Sequence, residues 1–197
     1  AQAVRIVHHM MDQECSKLPQ YVKIDLPSLE RLSKMIIQGL YSTFLGEINI
    51  DGCISEPNYE YFHPVKATGL ALVLGKEAGL SKHQLSNLAK ASLLQNIGYT
   101  LLPREVISSL KAEDDEKSPE FRQHPQLGYE ILAKEKDLDP EVAVGVWHHH
   151  ERWAGTGFPR GLKGDNISIF GRIISIASTF HALVSCRHGQ KPFSPPE

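Results

Sequence analysis

Three consecutive histidines, His148 to His150, join two stretches of helical sequence and so limit the folds open to this chain. The first stretch begins at Asp139, and the second follows a glycine-rich segment at 154–164. Side chains of neighbouring helical residues differ in direction by about 100°, so three consecutive imidazoles cannot share one face. Two adjacent imidazoles can line a groove, which suits a two-metal site better than a single tetrahedral ion. The simpler interpretation is a polar helix end with solvated or carbonyl-bound imidazoles.

Metal centres of this kind also need carboxylates, and the sequence around the histidine run supplies few of them. The helix predicted over 167–186 contains no Asp or Glu. The crowded acidic stretch at 113–116 predicts a solvated loop, because its carboxylates repel one another and stay in water. The chain therefore carries the imidazole half of a metal centre without its anionic half.

The apolar residues follow helical spacing along nearly the whole chain. This spacing predicts helices over Val4–Met11, Leu29–Leu45, Tyr59–Gly79, Lys82–Ile97 and a last segment that starts at Asn166 or Ser168. Ser81 to Gln84 forms a capping box, and a proline near the first helical position marks further starts at Ser118-Pro119, His124-Pro125 and Asp139-Pro140. No convincing strand pattern or repeat is present, so the predicted fold class is all-α.

Size and charge exclude several classes of function. The 197 residues fit one domain with an accessory segment, and a net charge of −2 gives no general attraction to nucleic acid or anionic lipid. No apolar stretch approaches the roughly 18 residues that span a bilayer. The three cysteines are far apart and odd in number, which predicts reduced thiols in a cytoplasmic protein.

The two ends of the chain predict a fragment of a longer protein. Ala1 stands where a methionine would begin a chain, and residues 193–197 stop inside a turn. We expect a helical segment over 1–57 followed by one domain over 58–197 that is truncated at its C-terminus.

An ordered series of motifs runs through the second part of the chain. The series comprises His63, Gln95-Asn96-Ile97-Gly98-Tyr99, His124-Pro125, His148 to Trp153, Gly-Thr-Gly-Phe-Pro at 155–159, Gly-Leu-Lys-Gly at 161–164 and Arg-Ile-Ile-Ser-Ile-Ala at 172–177. Over residues 59–190 the sequence resembles the HD-GYP family of bacterial cyclic di-GMP phosphodiesterases. The resemblance implies an HD-type helical bundle, here with an N-terminal helical extension.

The resemblance also implies a set of metal ligands, of which this chain keeps only part. Carried over position by position, the retained ligands are His63, His124, His149 and His150. The family's His-Asp pair falls on Gln95 and Asn96, and its last-helix aspartate falls on Ser178. The lysine after the pair is Tyr99, and the Asp and Tyr of the glycine turn are Ala154 and Phe158.

These replacements change what the site can hold. A pair of divalent ions brings about four positive charges, which carboxylates normally offset and bridge. An Asn carbonyl cannot bridge as a carboxylate does, and Gln95 is a poor ligand compared with imidazole. We therefore expect no cofactor, or at most one divalent transition metal such as zinc, copper or nickel, and no efficient hydrolysis. His181 lies three residues after Ser178, so it could replace the lost aspartate, although a carbonyl-bound histidine is the simpler interpretation.

Two further features could serve binding. By the resemblance, Arg187 stands where the family places a phosphate-binding arginine, and Lys191 could add a second charge. The loop of Gly155, Gly157, Phe158 and Pro159 predicts an apolar tip that contacts signalling proteins such as diguanylate-cyclase-type domains. The alternative is that the loop merely packs over the former active site.

The sequence therefore favours a catalytically degenerate HD-GYP domain that acts as a regulatory or interaction module in cyclic di-GMP signalling, and that could also bind the nucleotide. The alternative is a working metal-dependent cyclic di-GMP phosphodiesterase with a rearranged, histidine-rich site. A third hypothesis is a metal-free domain that only holds a longer protein together.

Overall fold

The computed structural model describes residues 24–42, 59–103, 105–106, 118–185 and 193. In chain order its α-helices are α1 (Leu26–Ser42), α2 (Tyr59–Glu77), α3 (Lys82–Leu93), α4 (His124–Leu132), α5 (Pro140–His148) and α6 (Ile169–Val184). Short 3-10 helices lie at Ile97–Leu101, Phe121–Gln123 and Gly164–Asn166. The described residues contain no strand, only an isolated bridge between Ala154 and Lys163. The predicted all-α fold is confirmed.

Local sequence signals define where several helices begin. Ser81 accepts a hydrogen bond from the Gln84 amide while the Gln84 side chain accepts one from the Ser81 amide, which completes the predicted capping box of α3. Asp139 caps α5 through the Glu141 amide at 3.0 Å, with Pro140 in the first position. Ser168, one of the two predicted starts, caps α6.

The helices share one principal hydrophobic core. Helix α2 packs along α3 and α6, α5 packs against α3, α4 and α6, and α1 packs on α3. The fully buried core side chains include Leu29, Leu32, Leu88, Leu132, Val142, Val146, Phe170 and Ile174. Because α1 contributes two of these leucines, it belongs to the same core as the helices that follow it. The boundary near residue 57 stays a prediction.

The predicted end of α3 at Ile97 is wrong. The α-helix ends at Leu93, and a turn leads into the 3-10 helix that begins at Ile97. A Cβ atom on Gly98 would collide with the His124 carbonyl oxygen, so the backbone of this segment lies directly against the start of α4. The early end of α3 therefore brings residues 95–99 beside a histidine of the candidate site.

Several predictions concern residues outside the described ranges. These are the amphipathic segment Val4–Met11, the acidic stretch at 113–116, and the basic residues Arg187 and Lys191. Among the helices that the structure describes, none is both long and apolar enough to cross a bilayer.

Candidate metal site

Three imidazoles meet where α4 begins and α5 ends. One ring nitrogen from each of His124, His149 and His150 lies within 4.8 Å of those of the other two. We call these residues the three-histidine cluster. His124 and His149 are almost fully buried, and His150 is partly buried. Helix α4 supplies the first histidine, and the turn after α5 supplies the adjacent pair, so the three ligands come from two neighbouring helix ends.

Backbone carbonyls determine which nitrogens of the cluster carry protons. The Nδ1 atom of His124 lies 2.7 Å from the Phe121 carbonyl oxygen, and Nδ1 of His149 lies 2.6 Å from that of Val146. A carbonyl only accepts hydrogen bonds, so each Nδ1 must donate. In a neutral imidazole this leaves Nε2 with a lone pair, and the two Nε2 atoms are 3.2 Å apart. Two acceptors therefore face each other inside the protein.

Burial keeps these imidazoles neutral. It lowers the pKa of His149 to about 4, although the Val146 carbonyl partly opposes the shift. Burial also lowers the pKa of His124 and His150 well below the usual value, and the neighbouring His149 lowers both further. At neutral pH all three side chains are therefore in the form that binds metal ions.

A second group of histidines lies between α2 and α6. The Nε2 atom of His63 is 2.9 Å from Ser178 Oγ, and its Nδ1 atom is 2.9 Å from Nδ1 of His181. Nε2 of His181 in turn lies 3.1 Å from Ser185 Oγ. We call this series Ser178–His63–His181–Ser185 the hydrogen-bonded chain. Ser178 and His181 share the face of α6 toward His63, as their spacing predicted.

His148, the first histidine of the run, makes a structural contact between two helices. Its Nδ1 atom accepts a hydrogen bond from the Ser168 amide at 3.1 Å, so it ties the end of α5 to the start of α6. A Cβ atom on Gly171 would lie 2.5 Å from the His148 Cβ, which shows how closely the two helices approach. The structure therefore places His149 and His150 in the cluster and His148 outside it.

The buried carboxylate next to the run supports the glycine-rich loop. Glu151 is 2% exposed, and its two oxygens accept hydrogen bonds from the amides of Arg160 at 2.8 Å and Leu162 at 2.9 Å. Both oxygens are thus engaged by the loop, and Glu151 is absent from the described group of candidate ligands. Sequence reasoning did not assign this role, which its position at the start of the loop could have suggested.

The predicted apolar tip of the loop is wrong. Phe158 is only 6% exposed, and its ring stacks on His150 with centroids 4.5 Å apart and planes at 16°. Phe158 points inward because His150, Phe121 and the Arg122 guanidinium surround it. Pro159, which follows a cis peptide bond, is partly buried. The exposed aromatic residue here is Trp153, at 61%, which the sequence reasoning overlooked.

The positions of the family's His-Asp pair carry no charge. Gln95 is 1% exposed, and neither its Oε1 nor its Nε2 atom has a hydrogen-bond partner among the described residues. Such a buried amide is costly unless water or a ligand satisfies it. Asn96 is partly buried, and the ring of Tyr99 lies 4.5 Å from that of His124. This side of the site is thus filled by neutral and aromatic groups.

The residues present fit one ion better than a pair of ions. The described group of candidate ligands consists of three imidazoles and no carboxylate. Neutral imidazoles suit zinc, copper, iron and nickel, and three of them leave a fourth coordination position open. The charge of a bridged pair of ions would have no described carboxylate to offset it.

Comparison with known proteins agrees with this architecture. Residues 47–197 match the family described as HD domain. The chain belongs to the HD domain family.

The chain is also similar to several curated phosphodiesterases of cyclic dinucleotides. The cyclic di-GMP phosphodiesterase PdeB of Borreliella burgdorferi is 31% identical over 70% of this chain and 36% of the relative. A cyclic di-GMP phosphodiesterase of Thermotoga maritima is 31% identical over 66% of this chain and 36% of the relative. The 3'3'-cGAMP-specific phosphodiesterase 2 of Vibrio cholerae is 32% identical over 59% of this chain and 22% of the relative. The chain spans about a third or less of the length of these relatives.

Proposed function

We propose that this chain is a catalytically degenerate HD-GYP domain that acts as a regulatory or protein-interaction module in cyclic di-GMP signalling. One observation carries the proposal: the Ser178 position, where the family places a carboxylate, is occupied by a hydroxyl that hydrogen-bonds to His63. A histidine that the resemblance counts as a ligand is thus engaged by neutral partners on both of its ring nitrogens.

The charge of the site argues against efficient hydrolysis. Attack on a phosphodiester by this type of site needs a metal-activated hydroxide, ideally shared by two ions. Two divalent ions would bring about four positive charges among imidazoles that burial already keeps neutral. Gln95, Asn96 and Ser178 offer no negative charge to offset them.

The relatives support the signalling context of the proposal. Their names assign cyclic di-GMP or 3'3'-cGAMP as substrate, and both molecules are cyclic dinucleotides. Retained binding of cyclic di-GMP without hydrolysis would make the domain a sensor. The predicted phosphate contacts, Arg187 and Lys191, lie outside the described residues, and their role stays a prediction.

The glycine-rich loop is the proposed partner surface. With Phe158 buried against His150, the loop presents Trp153 instead, and the Arg172 guanidinium lies 5.6 Å from that indole ring. Exposed Trp and Arg side chains are enriched where protein interfaces carry most of their binding energy. Gly155, Gly157 and Pro159 would shape this surface for a partner such as a diguanylate-cyclase-type domain.

The decisive experiment is cyclic di-GMP turnover by tag-free protein after incubation with Zn²⁺, Mn²⁺ or Fe²⁺. The matched variant carries Gln95→His, Asn96→Asp and Ser178→Asp together, which restores the family's ligands. We expect no turnover by the unaltered chain and measurable turnover by the variant. Turnover by the unaltered chain, lost on His149→Ala, would instead establish the alternative of a rearranged phosphodiesterase.

The partner surface is tested separately, by binding to a diguanylate-cyclase-type domain in a titration. Trp153→Ala should weaken this binding at least tenfold, whereas Ser81→Ala, at the start of α3, should leave it unchanged. Equal binding by all three proteins would rule out the loop as the partner surface.

A further inference from the structure

We infer that the outward face of α6 is a self-association surface, on which α6 of a second copy of this chain packs in the antiparallel direction. The side chains concerned lie on a different face of the helix from Ser178 and His181. The inference is therefore independent of the proposed function, and it holds whether or not the domain hydrolyses a cyclic dinucleotide. The spacing, charge and length of this face identify a second copy as its occupant.

Helix α6 exposes a stripe of large apolar side chains. The four members are between 37% and 60% exposed, and they are Ile169, Ile176, Phe180 and Leu183. They are seven, four and three positions apart, so they follow one side of the helix. They make up four of the eight large hydrophobic residues that are exposed in the described part of the chain. Single exposed apolar residues need no partner, whereas a contiguous group of this kind marks an interaction site.

The spacing of the stripe is self-complementary. Ile169 lies seven residues before Ile176, and Leu183 lies seven residues after it. When two copies of α6 pair antiparallel about a two-fold axis at Ile176, each Ile169 meets Leu183 of the other copy. The two Ile176 side chains then meet each other on the axis. A two-fold interface requires this relation, in which residue i contacts j and j contacts i.

Charge favours the antiparallel direction over the parallel one. Helix α6 contains no Asp or Glu, and its arginine, Arg172, is ion-paired with Asp165 at 3.0 Å beside the stripe. Antiparallel pairing places Arg172 level with Phe180 of the second copy, so the two arginines are separated by about 12 Å along the axis. Parallel pairing would place them at the same level. The antiparallel arrangement also sets the positive end of each helix dipole beside the negative end of the other.

The two ends of this chain match the stripe less well than a second copy does. The stripe extends about 21 Å along α6, and a second α6 has the same length. The apolar segment predicted at Val4–Met11 would extend only about 12 Å as a helix. The amide of Phe193 donates to the Leu183 carbonyl oxygen at 3.0 Å. The Phe193 side chain is nevertheless 71% exposed, and it leaves Leu183 49% exposed.

The first experiment measures the association state of the tag-free chain by sedimentation, over a hundredfold range of concentration up to about 100 µM. We expect a reversible dimer. Ile176→Glu brings two carboxylates together on the two-fold axis and should raise the dimer dissociation constant at least tenfold. Met35→Glu, the matched change on the exposed side of α1, should alter it less than threefold.

Both variants should remain folded, because Ile176 is 60% and Met35 is 44% exposed, and circular dichroism checks this. A monomer at every concentration would overturn the inference. Occupation of the stripe by the segment Val4–Met11 would give that result. A dimer that Ile176→Glu leaves intact would overturn it as well.

The second experiment tests the direction of packing by exchanging charges. Ile169→Glu and Leu183→Lys should each weaken the dimer at least tenfold, because each places an unpaired charge against an apolar side chain. The double variant should return to within threefold of the unaltered chain, since every new Glu then meets a new Lys of the other copy. In a parallel dimer the double variant would bring like charges together. A double variant that associates no better than the single ones would therefore overturn the antiparallel packing.

Discussion

The molecule contains two groups of histidines that differ in the atoms that contact their ring nitrogens. In the three-histidine cluster, backbone carbonyls hold the outer nitrogens of His124 and His149, and the inner lone pairs face each other. In the hydrogen-bonded chain, His63 and His181 contact each other and two serine hydroxyls. The first group offers two lone pairs that a cation could bind, whereas the contacts described for the second group can each be made with a proton of its own side chains. The two groups therefore differ in the partners of their ring nitrogens rather than in the kind of side chain that they contain.

The largest expected effect that tests this contrast is stabilisation by zinc. An ion that binds only the folded state at about 1,000 times its dissociation constant adds about 4.1 kcal/mol to the free energy of unfolding. We expect a rise of that order for the unaltered chain, measured by urea denaturation with and without Zn²⁺. His149→Ala should abolish the rise. A rise that survives His149→Ala would place the ion elsewhere.

The next effect concerns the hydrogen-bonded chain. His181→Leu removes the Nδ1 partner of a buried His63, and a buried polar group that loses a hydrogen bond costs about 1–3 kcal/mol. We expect the free energy of unfolding to fall by that amount while Co²⁺ affinity stays within threefold. Ser185→Ala, at the partly buried end of the chain, is the milder control. A loss of Co²⁺ affinity in His181→Leu would show that the two groups act as one site.

A pH titration of the metal-free protein separates the groups further. Burial, aided by the charge of Lys66, lowers the pKa of His181 to about 4. Between pH 4 and about 6.5 the unfolded state therefore binds more protons than the folded state, and stability falls as the pH falls. One such histidine contributes up to about 1.4 kcal/mol per pH unit. In His181→Leu the free energy of unfolding should therefore depend less steeply on pH, by up to that amount. Urea denaturation from pH 4.5 to 7 measures the two slopes. Equal slopes would contradict a lowered pKa of His181.

The smallest effect is a control remote from both groups. Ser81→Ala breaks the capping box at the start of α3 and should cost about 1 kcal/mol. Co²⁺ affinity and the pH slope should both remain those of the unaltered chain. If either changed, the losses in the histidine variants could be attributed to general destabilisation instead.

Helix starts were predictable because they depend on neighbouring residues. Ser81, Asp139 and Ser168 cap their helices with hydrogen bonds that span two or three positions, which the sequence displays directly. The end of α3 was predicted too late, because Gly98 lies against the carbonyl of His124, a residue far along the chain. Contacts of that kind leave no local pattern.

The candidate site also has some features that the sequence predicted and others that depend on tertiary contacts. Helix geometry indicated only that two adjacent histidines of the run can line a groove, and the family resemblance named His124, His149 and His150. It did not show that His148 would accept a hydrogen bond from Ser168, or that Phe158 would turn inward and stack on His150. Each of these outcomes depends on packing between α5, α6 and the loop.

By itself, the amino-acid sequence determined the all-α fold, the neutral residues at the family's carboxylate positions and the supply of imidazoles. Residue types and short-range spacing are sufficient for these conclusions, because helix capping and the charge of a side chain are local properties. Only the tertiary structure decided which nitrogens carry protons and which histidines face one another. Those properties depend on carbonyls and hydroxyls brought close by helix packing, such as Val146 beside His149 and Ser178 beside His63.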